Sequence, residues 1–209
     1  MAVRKNRIKR IHSSRNNQEL EERYDQWAKD YDADLKQEFE WQGPQRAAEI
    51  FVKHVPKGAK ILDAGAGPGL VGRALFALGY RNLIAMDLSR GMLEEARTTK
   101  VYIELHQMVM GGSLNFPTDS FGAVVSVGVL TLGHAPASSF DELIRVTCPG
   151  GCIIFTLLPE VYENNGFREK QSALESSGKW KLVEVSEPYQ ALPMGEPDKY
   201  HRVWVYQIT

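Results

Sequence analysis

Cysteine is scarce in this chain of 209 residues: there are only two, Cys148 and Cys152. Two thiols at this spacing form neither a tetrahedral zinc set nor a disulfide framework. The sequence also lacks an apolar run near the ~20 residues that a membrane span requires, and its amino terminus lacks the apolar core of a secretory signal. We therefore expect a soluble, cytoplasmic protein with no metal site and no membrane partner.

An excess of either charge is also missing, since 25 Lys and Arg residues stand against 26 Asp and Glu residues. Without a basic field the folded part is not expected to bind nucleic acid. Residues 1–15 are the exception, because they carry six basic residues and no acidic one. This composition is shared by organelle transit segments, nucleic-acid arms and solvated tails, and we favour a flexible tail over residues 1–19.

From Leu20 onward the chain alternates between amphipathic segments and short apolar runs. The predicted strands are 60–64, 82–87, 102–109, 123–129, 152–158, 180–186 and 202–207, and the predicted helices begin near Leu20 and cover 44–55, 69–79, 90–97, 138–146 and 167–177. This alternation predicts an α/β, doubly wound, Rossmann-like sheet of seven mostly parallel strands, ending in an antiparallel hairpin at the sheet edge. We expect one domain over 20–209, comprising a helical cap (20–57), a cofactor-binding core (58–158) and a substrate-side segment with edge strands (159–209).

A glycine-rich turn follows the first predicted strand, where Asp63 is followed by Gly65, Gly67 and Gly69. Glycine is needed where the backbone adopts a positive φ or lies against a ligand, and the next helix offers free N–H groups at its start. The dinucleotide fingerprint requires its third glycine three residues after the second, but position 70 is Leu. The pattern therefore predicts a nucleoside-bearing cofactor and disfavours a nicotinamide-dependent oxidoreductase.

The pattern D-x-G-x-G-x-G resembles motif I of the class I S-adenosylmethionine-dependent methyltransferases. Further similarity lies in YDQWAKDYD (24–32), GMLEEA (91–96), LNFPTDSFGAVVSVGVL (114–130) and CPGGCIIFT (148–156). Together these segments are most similar to the Williams-Beuren-region methyltransferase-like proteins, and the resemblance covers residues 22–158. It implies S-adenosylmethionine as the cofactor.

The resemblance also implies the cofactor contacts. The glycine turn would lie against the amino-acid end, Asp87 would bind the ribose hydroxyls, and an aromatic lid would close over the methionine part. Many relatives carry an acidic residue for the adenine amino group where this chain has Met110. The adenine must then be held otherwise, by backbone groups of Gly111 and Gly112, by the Ser113 side chain or by apolar packing of Met110. The candidate cofactor-binding residues are Tyr24, Trp27, Tyr31, Asp63, Gly65, Ala66, Gly67, Asp87, Leu88, Met92, Gly111, Gly112 and Val127.

For two of these assignments a purely structural role is the alternative. Asp63 could simply end its strand and cap the glycine turn, touching the cofactor only through bridging groups. The aromatics Tyr24, Trp27 and Tyr31 share one face of a helix, which is also the pattern of ordinary helix packing.

Methyl transfer requires alignment of a nucleophile and, for some acceptors, removal of a proton. His134, in the loop after the buried strand 123–129, is the candidate general base, and its alternative role is to fix that loop. We expect an O or N nucleophile on a small molecule, with a protein side chain left open. The alternative function is a catalytically weak or inactive protein that binds S-adenosylmethionine or S-adenosylhomocysteine as a sensor or partner subunit.

Overall fold

The computed structural model describes residues 10–11, 13–37, 39–131 and 133–209, so most of the predicted basic tail lies outside it. The helices are α1 (Asn17–Gln37), α2 (Gly43–His54), α3 (Leu70–Ala77), α4 (Arg90–Thr98), α5 (Ser139–Val146), α6 (Pro159–Asn164) and α7 (Phe167–Ser176). The strands are β1 (Ile61–Ala64), β2 (Leu83–Asp87), β3 (Glu104–Gln107), β4 (Phe121–Ser126), β5 (Thr147–Leu157), β6 (Trp180–Val185), β7 (Tyr189–Gln190) and β8 (Tyr200–Ile208).

The strands form one sheet in the order β3-β2-β1-β4-β5-β8-β6, with the two-residue β7 paired to β8. Neighbours from β3 through β5 pair in parallel, whereas β8 pairs antiparallel with both β5 and β6. The predicted doubly wound sheet with an antiparallel edge hairpin is therefore confirmed. The last strand of the chain lies between β5 and β6, so β6 forms the edge.

Alternate residues of the central strands point to opposite faces, which gives the sheet two apolar layers. In β1, Leu62 packs with Phe140 of α5 and Phe167 of α7, whereas Ile61 packs with Phe51 of α2. Each face is thus covered by helices, as a mostly parallel sheet requires.

Several element boundaries differ from the sequence prediction. β5 begins at Thr147 rather than at 152, because the chain pairs with β4 at Thr147, leaves the register through Pro149 and Gly150, and pairs again at Cys152. Gly150 has a φ of +79°, which permits this irregular turn. The short helix α6 and the strand β7 were not predicted, since neither is long enough to show a period.

The helix α1 forms a separate apolar cluster around Leu20, Trp27 and Leu35. It also contacts the start of α4 and the loop after β4, through side chains described below. Both contacts lie at the carboxyl ends of the parallel strands, where doubly wound sheets bind ligands. Within the described ranges, no helix is long and apolar enough to cross a membrane.

Candidate functional site

The glycine turn after β1 is held in left-handed backbone conformations, with φ of +83° at Gly65, +53° at Gly67 and +97° at Gly69. A Cβ at Gly65 would lie 2.3 Å from Cγ2 of Val129, so no larger side chain fits there. A Cβ at Gly67 would meet no atom within 4 Å. The requirement at Gly67 is therefore conformational, and its backbone borders open space.

Asp87 ends β2 beside this turn. One carboxylate oxygen accepts the Gly67 N–H at 2.7 Å, and the other accepts the Ser89 N–H at 2.9 Å. Burial raises the pKa of Asp87 to about 6, against the lowering effect of these backbone amides. The carboxyl is thus fixed at the mouth of the turn, with lone pairs left to accept further hydrogen bonds.

The start of α4 is tied to α1 through one carboxylate. Ser89 caps α4 by accepting the Met92 N–H at 3.0 Å, and its hydroxyl donates to Asp25 Oδ1 at 2.6 Å. The Gly91 N–H also donates to that oxygen at 2.8 Å, and a Cβ at Gly91 would lie 3.1 Å from the Asp25 backbone. This close approach holds the middle of α1 over the end of β2.

These elements line a cavity, which we call the glycine-turn cavity. Nine of the predicted cofactor residues line it: Tyr24, Tyr31, Gly65, Ala66, Gly67, Asp87, Leu88, Met92 and Val127. The structure therefore brings together residues from α1, the glycine turn, β2, α4 and the end of β4.

The other four predicted cofactor residues are placed elsewhere. Asp63 is buried behind the turn and accepts a hydrogen bond from the Tyr102 hydroxyl at 2.5 Å. Burial raises the pKa of Asp63 to about 7, and that hydrogen bond opposes the rise. This placement fits the interpretation of Asp63 as a residue that supports the turn.

Trp27 does not line the glycine-turn cavity, and it donates its indole N–H to the buried Asp34 at 2.8 Å. Gly111 and Gly112 are exposed and do not line the cavity either, whereas Met108, Val109 and Met110 do.

Other lining residues escaped the sequence analysis: Asn17, Leu20, Pro68, Leu70, Val71, Met86, Met108, Val109, Gly128 and Val129. Gly128 and Val129 are the last residues of the predicted strand 123–129, so their position at a carboxyl end was a usable signal. Trp41 also lines the cavity, although no period marks it. Its place depends on the link between α1 and α2, where its backbone N–H donates to the Leu35 backbone carbonyl at 3.1 Å.

A second cavity adjoins the first. The two share Tyr24, Tyr31, Trp41, Gly128 and His134. The rest of the second cavity is lined by Ile11, Trp27, Leu35, Leu130, Thr131, Thr156, Leu158, Leu192, Glu196, Lys199 and His201. The predicted base therefore stands at the boundary between the two cavities.

His134 is paired with Tyr24 at this boundary, where the tyrosine hydroxyl lies 2.8 Å from His134 Nε2. Burial raises the pKa of Tyr24 well above its usual value, and the nearby Tyr31 and Asp87 add to the effect. Tyr24 therefore stays protonated at neutral pH and can donate to the imidazole. Among the described residues, no group of three or more His, Cys, Asp or Glu side chains could hold a metal ion.

The chain is similar to known methyltransferases. Residues 62–155 match the model of a methyltransferase domain. The chain is 35% identical over 166 residues to methyltransferase-like protein 27 of Homo sapiens, covering 76% of this chain and 66% of that protein. It is 29% identical over 171 residues to a malonyl-acyl-carrier-protein O-methyltransferase of Legionella pneumophila, covering 80% and 58%. The chain therefore spans less than two thirds of the length of these relatives.

A solved structure shares the fold. It is a chain in the complex of the Haloferax volcanii Trm112 methyltransferase activator with a methyltransferase, at a TM-score of 0.68 and 18% identity. The match covers 88% of this chain and 97% of that one.

Proposed function

We propose that this chain, which belongs to the class I S-adenosylmethionine-dependent methyltransferase family, transfers a methyl group to an oxygen or nitrogen of a small molecule. The observation that carries the proposal is the pair of adjoining cavities with Tyr24 and His134 at their shared boundary. One cavity would hold the methyl donor and the other the acceptor. An O-methyltransferase among the relatives supports oxygen as a nucleophile.

The glycine-turn cavity fits S-adenosylmethionine. Asp87 offers a carboxylate to vicinal ribose hydroxyls, which form strong hydrogen bonds with an ionised acceptor. Leu88, Met92 and Met110 offer apolar surface to the adenine, and the open backbone at Gly67 leaves room for the amino-acid end. When bound, the cofactor supplies an electrophilic methyl group, whose bond to sulfur breaks with the electron pair remaining on sulfur to give S-adenosylhomocysteine.

Tyr24 and His134 would move the acceptor proton. In the tautomer with its proton on Nδ1, His134 accepts the Tyr24 hydroxyl hydrogen at Nε2. An acceptor hydroxyl that donates to the Tyr24 oxygen can then release its proton to tyrosine, while the tyrosine proton passes to the imidazole. Such general-base assistance typically contributes about 10²–10⁴-fold to the rate.

Calorimetry with S-adenosylmethionine and S-adenosylhomocysteine, followed by transfer of a radiolabelled methyl group to a panel of small alcohols, phenols and amines, tests the proposal. We expect saturable binding of both compounds and formation of the demethylated product. Tyr24→Phe and His134→Gln should bind the donor within about threefold of the wild type but lose roughly 10²-fold or more in kcat.

Failure of the wild type to bind either compound would reject the proposal. Binding without any demethylated product would instead favour the inactive sensor or partner subunit. An unchanged kcat in His134→Gln would be compatible with methyl transfer but would show that His134 does not accept the proton.

A further inference from the structure

The polar end of the second cavity carries opposite charges that compensate each other. Lys199 and Glu196 lie in the segment that joins β7 to β8, and the Lys199 ammonium lies 3.1 Å from Glu196 Oε1. Among the described residues that line this cavity, Glu196 and Lys199 are the only ones of the types Lys, Arg, Asp and Glu. An anionic acceptor would meet a lysine already paired with a carboxylate, and a cationic acceptor would meet a glutamate already paired with an ammonium.

The remaining ionisable group at this end is His201, on β8. Burial lowers the pKa of His201 to about 4, with Glu196 opposing and Lys199 assisting the shift. The imidazole is therefore neutral at physiological pH and can offer one hydrogen-bond donor and one acceptor. It adds polarity to the cavity without adding charge.

Much of the remaining lining of the cavity is apolar. Ile11, Trp27, Leu35 and Leu130 are all buried and face the same space. A charged acceptor that entered would lose its hydration without gaining an unpaired counter-ion, which is costly in a low-dielectric site. A cation would in addition be repelled by the sulfonium of the methyl donor.

We infer that the methyl acceptor is an uncharged small molecule with a largely apolar body and a hydroxyl or amine nucleophile, held in the cavity between Trp27, Leu130 and the Glu196–Lys199 pair. This inference rests on the proposed function, since it describes the acceptor of that same reaction. It separates this chain from the Legionella relative, whose name gives a malonyl group on a carrier protein as its substrate.

Three matched probes test the inference: 2-naphthol, the anion of 6-hydroxy-2-naphthoic acid and the cation of 6-(aminomethyl)-2-naphthol. All three carry the same nucleophilic hydroxyl and differ in the charge of a distant substituent. We would measure their binding by calorimetry to the full chain saturated with S-adenosylhomocysteine, and their methylation with labelled donor. We expect the neutral probe to bind at least about tenfold more tightly than either charged probe.

A charge variant makes the test specific. Glu196→Gln leaves Lys199 without its counter-ion, so the anionic probe should gain at least about fivefold in affinity relative to the neutral probe. The matched control is Glu94→Gln, which breaks an exposed ion pair with Arg90 on α4 and should leave that ratio unchanged.

Equal or tighter binding of a charged probe would overturn the inference, as would failure of all three probes to bind. An unchanged ratio in Glu196→Gln would show that the ion pair does not set the charge preference. If the chain binds no S-adenosylhomocysteine, the proposed function fails. The same titrations on the ligand-free chain would then still measure the preference of the second cavity for neutral over charged probes.

Discussion

Replacing Asp87 with Asn should weaken binding of S-adenosylmethionine by roughly 10- to 150-fold. In the structure both oxygens of this carboxylate are fixed by backbone N–H groups beside the glycine turn. The expected loss corresponds to about 1.5–3 kcal/mol for hydrogen bonds made to a charged group. Calorimetric titration of the wild type and the variant at pH 7.5 gives the two dissociation constants directly.

The same carboxyl predicts a pH dependence of binding. The pKa of Asp87 is about 6 in the ligand-free chain, because burial disfavours the charge. Donors on the ligand favour the ionised form, so affinity should be constant above about pH 7 and fall roughly tenfold by pH 5, as the carboxyl becomes protonated. Asp87→Asn cannot ionise, and its affinity should lack this fall.

Asparagine also changes the local structure, because its NH₂ group must face either the Gly67 or the Ser89 N–H. Thermal unfolding of the ligand-free variant at each pH therefore accompanies the titrations. Asp141→Asn is the matched control, since it removes an exposed carboxylate that pairs with Lys170, outside both cavities. Affinity within twofold of the wild type in Asp87→Asn, together with a flat wild-type profile from pH 7.5 to 5, would refute the assignment of Asp87.

Three further substitutions probe the surroundings of the site. Gly65→Ala should lower the free energy of unfolding in urea by roughly 2–4 kcal/mol, because alanine is strained at a positive φ and its Cβ would collide with Val129. An unchanged urea midpoint would contradict this expectation. The pKa of Asp63 rises to about 7, so the folded wild type holds a proton there that the unfolded chain releases, and this carboxyl makes the stability fall between about pH 4 and 7. Asp63→Asn should remove that share of the fall and leave the smaller share of Asp87, whose pKa is about 6; equal slopes in both proteins would argue against it. Asp25→Ala removes the hydrogen bonds from α1 to the start of α4, including the one donated by the Gly91 N–H. Exchange of the backbone amide hydrogens in the middle of α1 should therefore become roughly 2- to 10-fold faster. Unchanged exchange rates would show that packing alone holds the helix.

The order of strands and helices and the glycine turn could be predicted from the sequence. The alternation of apolar and amphipathic segments is local, and so is the need for glycine where φ is positive, as at Gly65. Asp87 was predicted from the resemblance to the methyltransferase family, and its place at the end of a parallel strand puts it at the ligand edge of a doubly wound sheet. The division of the chain into cap, core and substrate-side segment stays a prediction.

The part of the Met110 segment that lines the cavity could not be chosen from the sequence alone. The missing acidic residue left the backbone of Gly111 and Gly112, the Ser113 side chain and apolar packing by Met110 as alternatives. In the structure Met108, Val109 and Met110 line the cavity. The orientation of an irregular segment depends on what packs behind it, and Pro136 lies against Gly111 there. No pattern within the segment records that contact.

The sequence by itself determined the fold class and the glycine turn, because each follows from residue periods and backbone conformations over a few neighbours. The acidic residue beside the turn was implied by the family resemblance. Only the tertiary structure decided that Tyr24 meets His134, that Trp27 belongs to the second cavity and that Lys199 and Glu196 neutralise its polar end. These placements join segments far apart in the chain, or depend on how a connecting segment packs. The physical reason is that a cavity is the space left between packed elements, so its walls are set by how distant helices and loops pack together.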